Sequence, residues 1–336
     1  MKEMIRARAP LRIGMAGGGT DVEPYASERG GYVFNTTIDK YAYCTVVPNG
    51  SDRLSIVSLD YGAFAAPLDG GPLKYDGNMD LIKAVSNHFR ITDGFDVFIH
   101  SDAPPGSGLG GSSTVIVAIL GAITEWLNIR LTDHELADLA FRLEREELGL
   151  KGGKQDQYAA VFGGFNLMEF KKHGVRVHKV HLKDETVNEL QYCSLLCYTG
   201  RSRDSANIIE AQMKRYGGGS NVEALDAAKK LAKDGRDALM QGNVRKFGEI
   251  LNESWAQKKR FTPDVTNSTV DELYSVAMDN GAIGGKVSGA GGGGFMYFVC
   301  EYDKKHLIAK ELQKKGARIT DFMFERSGVQ TWRHRE

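Results

Sequence analysis

The stretch that most restricts what this chain can become runs from residue 96 to residue 127. Asp96-Val97-Phe98-Ile99-His100 has the apolar pattern of a strand, Pro104-Pro105-Gly106-Ser107-Gly108-Leu109-Gly110-Gly111-Ser112-Ser113 is a glycine-rich loop, and residues 114–127 read as an apolar helix. Strand, glycine loop and helix in that order let a backbone approach an anion: glycine permits close contact, and the helix start offers free N–H groups and a positive dipole end. Ser112 and Ser113 open the helix. Their hydroxyls can cap its first N–H groups, bond a phosphate oxygen, or hold a metal ion already bound to phosphates. Val115, Ile116, Val117, Ile119, Leu120 and Ile123 cover the helix nearly all round, which places it inside a core with its start open at a cleft.

Context separates the kinds of phosphate loop. Gly106, Gly108 and Gly111 satisfy the dinucleotide spacing, but that fold needs a second strand after the helix, ending in an acidic residue that holds a ribose. Here Thr132-Asp133-His134-Glu135 is instead a capping box for another helix. A P-loop fails because no lysine precedes the serine pair. A plain serine-capped turn remains as the bland alternative. Two further glycine-rich segments weigh against it: residues 13–21, which include Gly17-Gly18-Gly19-Thr20-Asp21, and residues 286–294, which include Gly289, Ala290 and Gly291. The 40 glycines, about 12% of the chain against about 7% in an average protein, cluster at these points rather than in repeats.

Several charged residues stand beside this glycine chemistry. The second helix carries Leu136, Leu139, Ala140 and Leu143 on one stripe, with Glu144 half-buried beside it, taken alone a surface acid paired with Arg142 or Arg145. Asp156, in the segment Gly153-Lys154-Gln155-Asp156-Gln157-Tyr158, can cap the helix that follows it. With Lys154 beside it, it can equally serve as a base or ligand at a substrate. Arg201 and Arg203 lie where an apolar strand gives way to a helix, a setting for a second anion site or simply for solvated arginines.

Length suggests about two domains, which we divide at residues 1–185 and 186–336. Strands at residues 5–12, 32–47, 54–59 and 95–100, with a helix at 80–89 and a strand pair within 165–182, have few crossover helices and argue for an α+β fold rather than a doubly wound sheet. Beyond residue 190 we expect a strand at 192–198, helices at 204–215, 222–241, 244–258 and 268–280, and a glycine loop at 281–294. A split βαβ pattern at 295–324 follows. Lys plus Arg and Asp plus Glu both number 43, so no charge excess points to nucleic acid or to a membrane surface. Cys44, Cys193, Cys197 and Cys300 lack metal spacing and read as buried thiols of a reducing compartment, and His178 and His181 as exposed strand residues. Residues 1–10 have no apolar core, and no apolar run is long enough to span a bilayer, which fits a cytoplasmic protein.

The order of the three glycine segments resembles that of the GHMP kinase superfamily, the galactokinases, homoserine kinases, mevalonate kinases and phosphomevalonate kinases, across nearly the whole chain. The resemblance implies a two-domain fold: an N-terminal ribosomal-protein-S5-domain-2-like α+β domain and a C-terminal ferredoxin-like α+β domain. It implies ATP and Mg²⁺ as cofactors, with Pro105 to Ser113 as the ATP-phosphate loop. Asp156 falls on the catalytic aspartate and Arg12 on the motif arginine near the transferring phosphate. Glu144 and Ser112 fall on the magnesium ligands, with Ser113 as the second hydroxyl. Gly17, Gly18, Gly19, Thr20 and Asp21, together with Gly289, Ala290 and Gly291, match substrate-binding segments, and Lys154, Arg201 and Arg203 are candidates for the same task. Sugar-kinase motifs usually carry Gly-Glu-His where this chain has three glycines, which leaves room for a differently placed substrate. The pattern is most similar to the bacterial heptose 7-phosphate kinases, which phosphorylate the anomeric hydroxyl for nucleotide-activated heptose synthesis. Fucokinase-like sugar 1-kinases and non-catalytic sugar and ATP sensors stand as alternatives. The expected partner is a small sugar phosphate, with no nucleic acid and no membrane, and the oligomeric state stays open.

Overall fold

The computed structural model describes residues 3–59, 62–201 and 205–336. Its first half is built on two long strands, β1 (Glu3–Ala16) and β2 (Gly31–Pro48), joined through the short helix α1 (Tyr25–Arg29). Then come β3 (Arg53–Ser58), β4 (Gly62–Pro67), α2 (Asp80–Phe89), β5 (Phe95–Ser101) and α3 (Gly111–Trp126). Helix α4 (Asp133–Phe141) runs into a π-helical turn (Arg142–Glu147), and α5 (Gln155–Phe162), β6 (Phe165–Lys171) and β7 (Gly174–Lys179) follow. The second half contains α6 (Asp184–Cys193), β8 (Ser194–Tyr198), α7 (Ser205–Gly217), α8 (Val222–Met240), α9 (Val244–Lys259), a 3₁₀ turn (Pro263–Val265) and α10 (Ser268–Asp279). It ends with β9 (Ala282–Val287), β10 (Phe295–Cys300), α11 (Lys305–Lys314), β11 (Arg318–Ile319), β12 (Phe324–Glu325) and β13 (Gln330–Arg335).

The strands form two sheets. The larger follows the order β13-β1-β2-β5-β3-β4, with β6 and β12 attached along β2 and β7 on β6, and only the β3–β5 pairing is parallel. The smaller is antiparallel in the order β11-β8-β10-β9. This is the α+β arrangement that the scarcity of crossover helices predicts. Helix α3 lies on β1 and β2 with Ile116, Val117, Ile119, Leu120 and Ile123 wholly buried. Each such side chain contributes about 1.5–3 kcal/mol of burial. Gly121 allows the close approach, since a β-carbon there would lie 3.1 Å from Val329 and 3.5 Å from Ala7. The capping box of α4 is present, with the Glu135 N–H donating to Thr132 Oγ1 at 3.3 Å and the Thr132 N–H to Glu135 Oε2 at 2.7 Å. All four cysteines are buried free thiols, and His178 and His181 are exposed. Among the described residues no helix is long and apolar enough to cross a membrane.

Some sequence expectations need correction. Residues 184–193 are helix α6, where a linker and the start of a strand are expected. The expected loop at 281–294 begins only at Ser288, because residues 282–287 form β9. Its glycines serve packing: a β-carbon on Gly284 would lie 2.0 Å from the Gly248 carbonyl of α9, and one on Gly285 would lie 2.2 Å from the Phe298 ring. The last expected strand breaks in two, β11 staying in the small sheet while β12 crosses to pair with β2. Strand β13 then pairs with β1, placing Arg335 opposite Glu3. Residues 324–335 therefore belong to the sheet of the first half, across the division drawn at residue 185. The exposed side chains of β4 and β13 leave no apolar periodicity by which either could be read.

Candidate active site

The glycine loop between β5 and α3 is bent by residues that only glycine tolerates well: Gly106, Gly108 and Gly110 have φ of 71°, 84° and 80°. Gly110 is the N-cap of α3, and no side chain caps the helix. Ser112 and Ser113 are thus released from the capping role that their position allows. Gly111 has open space above it, and the Ser107 hydroxyl, buried beside the cleft, has no partner among the described residues. The 286–294 segment closes against the back of the loop. The Phe295 N–H donates to Ser107 O at 2.8 Å, and a β-carbon on Gly108 would come within 2.4 Å of Ser288 O.

Glu144 is reached through the π turn, in which the Leu148 N–H donates to Leu143 O five residues back at 3.1 Å. The wider turn carries Glu144 inward to the start of α3, so it is fully buried rather than half-buried. Ser112 Oγ donates to its Oε1 at 2.7 Å, while Ser113 Oγ at 2.7 Å and Gln157 Nε2 at 2.6 Å donate to its Oε2. Arg145 Nη2 lies 3.5 Å from Oε1 and donates to Ser113 Oγ at 3.0 Å.

Asp156 is the second residue of α5, and no side chain caps that helix, so its carboxylate is used elsewhere. Arg12, buried on β1, donates through Nε at 2.8 Å and Nη2 at 2.7 Å to the same oxygen, Asp156 Oδ1. Arg12 is itself held by Gly108 O at 2.5 Å and Ser288 Oγ at 3.3 Å. The other oxygen, Asp156 Oδ2, has no donor among the described residues and lies against Gly110 of the loop.

Asp21 completes this floor. It accepts from the Gly19 N–H at 3.0 Å, the Gln155 N–H at 3.2 Å and Gln155 Nε2 at 3.1 Å. Burial, and then the charge of Asp156, raise its pKa above the ordinary 3.8. Below it Lys286 donates to Gly14 O at 2.8 Å, and burial, then Lys258 and Arg12, push its pKa well down.

One polar cleft gathers Arg12, Asp21, Asp156, the loop from Gly106 to Ser113, Gly289 and Ala290. On the other side of Gly111 and Ser112 an apolar hollow is lined by Met79, Ile82, Ile99, Pro105, Val115 and Leu150. Other expected site residues lie elsewhere. Leu109, expected in the phosphate loop, is core. Gly17 and Thr20 shape the backbone: the Thr20 hydroxyl donates to Gly17 O at 2.8 Å, and a β-carbon on Gly17 would meet Tyr32 O at 2.0 Å. Gly291 packs on Val265. Lys154 places its ammonium 4.7 Å from the centre of the Phe141 ring and borders a neighbouring hollow instead of the cleft. Arg201 is exposed and away from the cleft, and Arg203 lies outside the described residues. Gln155, Gln157, Lys258, Gln212 and Ser288 join the site without having been singled out, and Arg145, named as a partner of Glu144, joins it beside that residue. The two glutamines flank Asp156 in sequence and Ser288 adjoins Gly289, which are signals; Lys258 and Gln212 are brought in by distant elements and carry none.

Comparison with known proteins agrees with this geometry. Residues 79–164 match the GHMP kinases N terminal domain and residues 236–318 the GHMP kinases C terminal domain. The D-glycero-alpha-D-manno-heptose 7-phosphate kinase of Campylobacter jejuni is 39% identical, the match covering 98% of this chain and 99% of that protein. The crystal structure of a D-glycero-D-manno-heptose 1-phosphate kinase from Bacteroides thetaiotaomicron superposes with a TM-score of 0.84 at 38% identity, covering 99% of this chain and all of the other. An L-fucokinase/L-fucose-1-P guanylyltransferase of Bacteroides fragilis is 27% identical, and this chain spans 39% of its length. A galactokinase of Lactococcus lactis complexed with galactose shares the fold, with a TM-score of 0.76 at 22% identity. With a phosphate-sized loop at a helix start, an arginine-held aspartate facing it and both halves of the chain matched, this protein belongs to the GHMP kinases.

Proposed function

We propose that the protein transfers the γ-phosphoryl group of ATP to the anomeric hydroxyl of D-glycero-D-manno-heptose 7-phosphate, giving the 1,7-bisphosphate. The observation that carries the reading is the division of Asp156: Oδ1 is tied twice to Arg12, and Oδ2 faces the cleft between the phosphate loop and Asp21. A carboxylate held in that way can take or orient the proton of an acceptor hydroxyl as it attacks. Phosphoryl transfer asks the protein mainly for positioning and for neutralisation of the γ-phosphate oxygens. The N–H groups at the start of α3 and the unpartnered Ser107 hydroxyl suit the phosphates, and Arg12 supplies positive charge at the transferring group. The apolar hollow beyond Ser112 suits the adenine ring.

The oxygens at the start of α3 fit a magnesium ion. Glu144 Oε1 and Ser112 Oγ lie 2.7 Å apart, and one carboxylate, one hydroxyl and phosphate oxygens make the hard donor set that Mg²⁺ takes. Bound there, Mg²⁺ would neutralise phosphate charge. Ser113 and Gln157 hold the second carboxylate oxygen and leave Oε1 to Ser112.

The choice of heptose 7-phosphate follows the Campylobacter relative, and the choice of a heptose both that relative and the Bacteroides one, each a full-length match, over the fucokinase, of which the chain covers 39%. The test is a panel of heptose 7-phosphate, free heptose, fucose and galactose with ATP, read by ADP release and by phosphorus NMR of the product. We expect a new anomeric phosphate signal with heptose 7-phosphate. Preference for fucose would move the assignment to the fucokinases, and ligand binding without ADP release would make the protein a sensor.

A further inference from the structure

We propose that Lys258, at the gap left open by Gly18, recognises the anionic far end of the sugar substrate. This rests on the reading above that the acceptor already carries a phosphate. Lys258 stands in the last turn of α9, only 5% exposed, yet it borders the polar cleft along with Gln155 and Gln212. Its ammonium lies 3.5 Å from Gly18 O. Three positive side chains meet under this glycine segment, and their directions differ. Arg12 is turned to Asp156, Lys286 donates to Gly14 O, and Lys258 is among the residues that line the cleft. A buried ammonium has lost much of its hydration and interacts strongly with an oxyanion brought beside it.

The adjoining glycine gives the second argument. Gly17 and Gly19 have φ of +80° and +104°, and a β-carbon on either would strike neighbours at 2.9 Å or less, so the fold itself requires glycine at both. Gly18 lies outside the left-handed region. A β-carbon there would meet only Gln155 Nε2 at 3.5 Å, Lys258 Nζ at 3.9 Å and Gln155 Oε1 at 4.0 Å, all ordinary contacts. Neither backbone nor packing therefore requires glycine at this position. What its bareness does is keep clear a space walled by an amide and an ammonium, both suited to phosphate oxygens. Arg201, which its sequence position makes a candidate for this task, is exposed and is not among the residues that line the cleft.

The experiment measures kcat and KM on heptose 7-phosphate and on unphosphorylated heptose for the wild type, Lys258→Gln, Lys258→Arg and Gly18→Ala, with thermal melting as the folding control. We expect the wild type to prefer the phosphorylated sugar. Lys258→Gln should raise KM for heptose 7-phosphate about 10- to 100-fold while KM for ATP stays within about twofold, as the loss of one charged hydrogen bond requires. Lys258→Arg should recover part of that loss, and Gly18→Ala should raise the same KM several-fold by narrowing the gap. An equal loss on both sugars, or an unchanged preference, in Lys258→Gln overturns the assignment. If that variant does not fold, Gly18→Ala decides, and an unaltered KM overturns it. A wild type that prefers the unphosphorylated sugar defeats the sugar-phosphate reading itself, whatever the variants do.

Discussion

Asp156 presents one oxygen to Arg12 and the other to the cleft, so Asp156→Asn separates its charge from its shape. The amide oxygen can still accept from Arg12, but nothing remains to accept a proton. We expect kcat to fall by about 10² or more, with a stability loss of about 1–3 kcal/mol because buried Arg12 keeps a weaker partner. Wild-type turnover in this variant would remove Asp156 from the chemistry. Asp21 gives a prediction with pH. Its raised pKa means that the unfolded chain ionises first, so this group weighs against folding above its raised value, and that cost disappears below about 3.8. For the same reason sugar affinity, measured by calorimetry, should weaken as pH falls through the raised value. In Asp156→Asn that limb should move to lower pH, though only partly, because burial is the larger cause. A limb that stays in place would show that the two acids do not sense each other. At this scale the resemblance to the kinase motifs singled out Arg12, Asp21, Glu144 and Asp156, which the fold brings to the cleft and to the start of α3. The sequence could not place Lys258, which stands on an element more than 200 residues away along the chain from the partner it touches.

At the scale of elements, the start of α3 depends on the turn that follows α4. If Glu144 Oε1 and Ser112 Oγ hold magnesium, Ser112→Ala should raise the Mg²⁺ needed for half-maximal rate, and Ser113→Ala, on the inner oxygen, should raise it less. Glu144→Gln should do the same while also costing about 1–3 kcal/mol, since its amide would face donors already in place. Identical magnesium curves in all three would sink the assignment. The π turn that makes this geometry is invisible in sequence, where residues 136–144 read as one regular helix. Its wider ring is chosen by what the turn packs against, not by its own residues. Helix α5 depends similarly on the chain's last segment. Gly328 lies where a β-carbon would be 1.7 Å from Val161 O, and one on Gly163 would be 2.1 Å from Ser327. Gly328→Ala should therefore lower the urea midpoint by an amount equivalent to about 1–3 kcal/mol and reduce kcat, because α5 carries Asp156. An unaltered midpoint would mean that this segment does not hold the helix.

For the whole molecule, the two-lobed α+β plan was legible from the spacing of strands and glycine segments. The return of β12 and β13 to the first sheet was not, since β12 is only two half-buried residues long and β13 is exposed throughout, so neither shows alternation. That return sets the outer ends of the first and last strands side by side, with Glu3 opposite Arg335 and Arg335 Nη2 3.3 Å from Glu3 Oε1. A chain rejoined there through a short linker and opened at the exposed Gly217-Gly218-Gly219 should fold and keep its activity, as enzyme assay and melting would show. Loss of folding would mean that the present order of elements matters beyond their contacts. The same pairing also sets a timetable. β1 is made before β13. At about 5–20 residues per second, synthesis of the roughly 300 residues that separate them keeps the outer edge of β1 uncovered for tens of seconds. The lobe begun first is thus finished last, and a ribosome stalled late in this message would hold a sheet still open to a stranger's strand.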